Sequence, residues 1–386
     1  MALIHARLPR RRRNSQLVSL ISISAGGLVG WVAVLLLCAV AGCGDSGRGS
    51  VRFGPPELSH DGLPLRSANG TVLSESPLLG LPSDIGVVGP FLVLLDLASD
   101  SVVHVLDEKT GAHLAQLGAR GEGPCEFKSV WTLDPVPGDS NLAWIYDIGL
   151  LRLTQIDVAR SLREHRLACT HMLTMRSDAV PTGPVWLDGE TMASLGFFPT
   201  ARLGFFDSEG NLMGTAGAVP AGDGSMDAGV RQHAYQATLT KNPSANLLAT
   251  ATRHASLLEI YKTSGESVTV VEGPLTVHPQ FGVGRSVRGL AMQTGRDLRF
   301  GYVDVTAGPS RIYALFSGRT REGYPKSAFQ GRFIHMFDWE GQFDSALELD
   351  ADIVGIVADE SSESIFAIRH DPTPAVLRYR LSGGRR

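Results

Sequence analysis

Four aspartates, Asp84, Asp134, Asp188 and Asp304, stand in or beside short apolar runs that a folded chain could bring side by side. Carboxylate oxygens are the ligands a calcium ion takes, and a bound ion can polarise a carbonyl for hydrolysis. The same residue type is also a common local acceptor in turns, and no Asn or Glu clearly accompanies the four. A second group is basic and aromatic. Between Ser317 and Gly331, Arg319, Arg321 and Lys326 stand against one acid, Glu322, with Tyr324 and Phe329 among them. Such groups grip anionic or sugar-like ligands by charge-assisted hydrogen bonds and stacking. The alternative is a solvated loop whose rings pack on their own strands. Arg231, close to His233 and Tyr235, either joins that site or is an ordinary loop residue. Other chemistry is absent as a motif: there is no His-Glu-x-x-His, Gly-x-Ser-x-Gly, Cys-x-x-Cys or Walker loop. His254, His278 and His335 have no spaced partners. No catalytic residue, metal or cofactor is assigned.

The N-terminus gives an address. Arg7 and Arg10 to Arg13 form a basic region, Leu17 to Ala39 is an uncharged apolar run, and Val40-Ala41-Gly42-Cys43 has the form of a bacterial lipobox. Residues 1–42 therefore read as a lipoprotein signal peptide, with Cys43 as the lipidated residue. An uncleaved membrane anchor is the alternative, since the run is long enough to span a bilayer. Residues 43–68, rich in Gly, Ser and Pro, read as a flexible tether. The signal carries five arginines and no acid, so the remaining chain has 30 basic residues against 39 acidic, a net charge of −9. An acidic body of this kind argues against nucleic-acid partners. Cys125 and Cys169 remain, read as two separate thiols in preference to a disulfide.

The elements that must position these residues are strands. Short β-branched and aromatic runs bounded by Gly, Pro, Asp and Asn recur without long helical periodicity. A strand, an Asp or equivalent, a short turn and another strand appear six times, around Asp107, Asp157, Asp207, Lys262, Asp338 and Leu381. A period near fifty suits four-stranded propeller blades. The expectation is an all-β, six-bladed β-propeller over residues 69–386, with four antiparallel strands per blade. The sixth copy stops at Leu381-Ser-Gly-Gly-Arg-Arg, without room for its outer strand. An unfilled edge would expose unpaired backbone groups, so Asn69 to Pro77 is expected to pair with Val376 to Leu381 and close the ring.

The step GEGPCEF at Gly121 to Phe127, the LEIYKTSGE turn, the LFSGR segment, FIHMFDWEGQF and IVADESSESIFAI resemble the TolB-like six-bladed β-propellers of bacterial exported proteins. The first motif is also similar to NHL-type repeats, except that Cys125 replaces their second Gly and puts a tight left-handed turn there in doubt. In that turn Phe127 is expected to be core, and Glu126 either caps backbone N–H groups, the preferred reading, or contributes to a central cation or ligand site. The resemblance implies fold and compartment, with no catalytic set to carry over.

In a propeller the b–c and d–a connections share one face. The long connections Gly118–Phe127, Ala218–Ala234, Gly273–Asp297 and Ser317–Gly331 all fall there, which makes it the expected binding face. The reading is a non-catalytic, lipid-anchored, monomeric module in the bacterial envelope, its propeller in the periplasm. It would bind an envelope protein or a small polar or anionic ligand through Arg319, Arg321, Tyr324, Lys326 and Arg231. The alternative is a calcium-dependent, lactonase-like hydrolase with its site in the central channel.

Overall fold

The computed structural model describes residues 58–381, apart from 76–77, 137, 221–226, 281 and 287–288. The signal segment and Cys43 lie outside the described residues, and among those described no helix is long and apolar enough to cross a membrane.

Six blades form the ring, the last two sharing one continuous sheet, with their strands lettered a to d from the channel outward. Strands a are Pro82–Val88, Val130–Pro135, Pro181–Trp186, Ala237–Lys241, Tyr302–Ala307 and the last part of the long strand Phe343–Asp359. Strands b, such as FLVLLD at Phe91–Asp96 and LAWIYD at Leu142–Asp147, are buried almost throughout. They read as unbroken apolar runs because a blade is covered on both faces, and alternation survives only where one face meets water. Outer strands do alternate, as in Ser267–Glu272.

Cohesion comes from the junctions. Six apolar clusters occur, one between each pair of neighbouring blades: Val93 and Leu95 meet Ile145 and Ile156, and the last junction packs Leu92 and Leu106 on Phe366 and Ile368. Each fully buried Leu or Phe contributes roughly 1.5–3 kcal/mol, spread around the ring.

Closure follows the expected route. Thr71–Ser74 pairs antiparallel with Ala375–Arg380, Thr71 opposite Arg378 and Val72 opposite Leu377. Strand structure among the described residues begins before residue 69, however. Leu65–Ala68, within the stretch read as tether, runs parallel to the outer part of Phe343–Asp359, with Leu65 opposite Ala346. His60 is buried, stacked on Phe333 at 3.6 Å, with its Nε2 3.0 Å from Nε2 of His335.

The turn motifs have a steric basis. In the c–d turns of blades 1, 3, 4 and 5, Gly111, Gly210, Gly265 and Gly341 hold φ between 72° and 88°. A Cβ at each would collide with the outer strand of the preceding blade, at Leu73, Thr174, Ala216 and Val271 respectively. Glycine is required there by backbone angle and by inter-blade contact. Blade 2 replaces its turn with helix α1 (Val158–Glu164), capped by Asp157.

Two expectations about the GEGPCEF step are corrected. Cys125 takes φ 59° itself, so the left-handed turn survives without glycine. Cys125 and Cys169 form a disulfide, joining the connection between blades 1 and 2 to the outer strand of blade 2. Their 44-residue separation hid the pairing from the sequence. Glu126 accepts from the Gly123 N–H at 2.9 Å, and Phe127 is fully buried between blades 1 and 2.

Candidate functional site

The six strands a enclose a cavity of about 520 Å3. Its wall includes Val136, Pro243, Pro309 and Ser361 from the a–b turns, so it opens on the short-turn face, opposite the long connections. The aspartates in it act as staples between blades. Asp84 accepts from Ile85 N at 2.9 Å and from Leu133 N of the next blade at 2.7 Å. Asp134 accepts from Trp186 N at 2.8 Å, and Asp304 from Val305 N at 2.9 Å and Ile356 N at 2.8 Å.

Burial pushes the Asp84 carboxyl up to about 8, helped by the charge of Asp304 and opposed by the backbone donors. Burial likewise pushes Asp304 up to about 7. Lys241 reaches from blade 4 to Asp134 in blade 2, its Nζ 2.8 Å from Oδ1, and donates to Trp186 O at 2.9 Å. Asp188 sits apart, in the a–b turn of blade 3, accepting from Glu190 N and Thr191 N. Among the described residues no three His, Cys, Asp or Glu side chains are grouped to hold a metal ion.

The long connections do share the other face, because each joins a strand d to the next strand a or a strand b to its strand c. There Arg319 is held by Asp352 at 2.7 Å and lies over Tyr324 at 4.6 Å. Arg321 lies over Phe300 at 5.6 Å and opens on a cavity of about 670 Å3 that Arg296, Asp297 and Glu322 also line. Lys326 is exposed. Arg231 belongs to helix α2 (Ala228–Ala234), and its Nε is buried without a hydrogen-bond partner. So the loop of blade 5 brings Arg319 and Tyr324 together, with Arg319 already neutralised, while Arg231 stands on a separate element.

Arg253 and Phe300 escaped the sequence reading, and His254 entered it only as a histidine without spaced partners. Arg253 and His254 end the apolar run LLATAT, on the b–c corner of blade 4, and Gly301 N donates to Arg253 O at 2.8 Å. That corner packs on Phe300, which precedes strand a of blade 5. His254 lies 5.2 Å from the Phe300 ring, and Arg253 lies 4.8 Å over Phe329. A basic pair closing an apolar strand was the available signal.

Exposed large hydrophobics complete the picture of this face. Some line outer strands, such as Val270 and Met213. The others, Leu78, Leu81, Leu97, Trp131, Val180 and Phe329 with Val283 and Leu290, all lie on the long-loop face. None of them occupies an a–b or c–d turn.

Comparison with known proteins agrees with this architecture. Residues 66–361 match the family described as TolB-like 6-blade propeller-like. The chain belongs to that family. No curated protein matches. Among solved structures, the β-propeller domain of Myceliophteria thermophila Cps50 (Swd1) is 12% identical, with 81% of this chain and 100% of that one covered and a TM-score of 0.47. U3-55K is 10% identical, with 81% and 98% covered and a TM-score of 0.48. Both scores are too low to bear on function. Family membership assigns the TolB-like scaffold, and the residues on its two faces must supply the rest.

Proposed function

We propose that this TolB-like propeller is a non-catalytic interaction module, exported and tethered through Cys43, that presents its long-loop face to an envelope protein. Among the described residues, the confinement of exposed large hydrophobics to that face, outer strands aside, carries the reading. Such residues rimmed by polar groups mark interaction surfaces, and Trp and Arg are favoured anchors. The lipobox supports the tether, and residues 43–57 would let the propeller stand off the membrane.

A photo-crosslinking residue at Trp131 should trap a discrete partner in the envelope, whereas one at the exposed c–d turn residue Glu340 should not. Equal capture at both, or none at Trp131, would overturn the reading. In the same cells Cys43→Ser should accumulate unprocessed precursor that takes up no labelled fatty acid. Normal processing of that variant would remove the tether.

A further inference from the structure

Three cationic or basic side chains meet at the junction of blades 4 and 5 with few acids to match them. Arg253 and His254 come from the b–c corner of blade 4, Arg321 from the b–c loop of blade 5. All three contact the ring pair Phe300–Phe329, whose centroids are 5.5 Å apart.

Their hydrogen bonding is incomplete. His254 is 9% exposed, and its Nδ1 is buried without a partner. Arg253 Nη1 donates to Gln236 Oε1 at 3.0 Å, but its Nε is also buried and unpartnered. Among the described residues Arg321 makes no ion pair. Nearby acids are largely committed elsewhere. Asp352 holds Arg319, and Asp304, bonded to two backbone N–H groups in the channel, reaches Arg253 only through its field. Asp297 and Glu322 share the open cavity with Arg296 and Arg321. Burial, with Arg253 and Arg321 adding to it, pushes the His254 imidazole down to about 4, so the ring is neutral, and in its Nδ1–H tautomer the unpartnered nitrogen is a donor. Buried orphan donors and buried cations both cost free energy unless a partner arrives. A neutral water could meet the hydrogen bonds but would leave the charge unmatched.

We infer that this junction is an oxyanion site, in which a carboxylate or phosphate group bonds to His254 Nδ1, Arg253 Nε and the Arg321 guanidinium. The inference rests on the long-loop face being the binding face, and it gives the partner a chemistry: an acidic group seated beside two aromatic rings. A carboxylate on a polypeptide and free phosphate are two sources of the same chemistry.

Calorimetry on the detergent-solubilised full-length chain separates them, using a tetraglutamate peptide and inorganic phosphate, with chloride at equal ionic strength as reference. The expected result is binding of at least one probe with a shift of the His254 ring resonances. Arg321→Ala should weaken it about tenfold or more, as expected for a lost charge-assisted bond. Lys109→Ala, which removes a cation from an exposed turn on the other face, should leave it unchanged. Preference for the peptide assigns the carboxylate source, and preference for phosphate the other. No binding above chloride, or equal weakening by both variants, overturns the inference. Partner capture at Trp131 without anion binding would sink this site while sparing the binding face. Anion binding without capture would do the reverse.

Discussion

Asp84 and Asp304 hold neighbouring blades together from a place that disfavours their charge. Burial raises both pKa values, to about 8 and about 7, from an ordinary value of 3.8. Folded protein therefore keeps protons that the unfolded chain has lost, and stability should fall as pH rises through that range. Between pH 6.5 and about 8, above the histidine range, the urea midpoint should decline, then level off once both carboxyls are ionised in the folded state. Asp304→Asn should lower stability at pH 6.5 yet flatten that decline. A midpoint that rises over this window in the parent protein would show the carboxyls to be ionised and paired. Both residues were visible in the sequence as acids in apolar runs. Their role was not, because Leu133 and Ile356 lie 49 and 52 residues downstream, where only the ring brings them within reach.

Among the elements, the closing strand and the disulfide are the testable ones. Val72→Pro removes a strand donor opposite Leu377 and fixes φ beside an otherwise open edge. It should lower the urea midpoint and promote self-association, measured by equilibrium melts and light scattering. Unchanged behaviour would mean that Thr71–Ser74 is dispensable for closure. Replacing Cys125 and Cys169 by Ser opens a loop of 44 residues, and the chain-entropy relation puts the loss at about 4 kcal/mol. The repeat pattern made the closing strand legible, since an unfilled edge demands a partner. It could not make the disulfide legible, because two thiols at that spacing meet only if the d–a connection reaches the outer strand of the blade it leads into.

For the whole molecule, the segment before the ring has its own docking site on blade 5. Burial pushes His60 down to about 4, against the pull of Glu348, and burial with His60 pushes His335 well below its ordinary value. Around the pair stand Tyr302, whose hydroxyl is 3.0 Å from His335 Nδ1, and the rings of Phe316, Phe333 and Phe343. Folded pKa values below the unfolded 6.5 mean that docking is fully supported above that pH and weakens as pH falls toward 4. Limited proteolysis should cut within Leu58–Ala68 several-fold faster at pH 5 than at pH 7.5, and His60→Phe should remove the difference. Cleavage independent of pH in the parent protein would place the segment's anchorage elsewhere.

The number of blades, the order of strands, the closing partner and the connections that share a face were all legible in the chain. Those follow from period, apolar runs and turn glycines, which are local and repeat. Tertiary structure alone decided that residues 58–68 dock on blade 5, that Cys125 meets Cys169, and that the cavity opens away from the long loops. It also decided that Arg253 and His254 of one blade converge with Arg321 of the next on the Phe300–Phe329 ring pair. Such meetings depend on the angle between packed blades, and no local pattern encodes that angle.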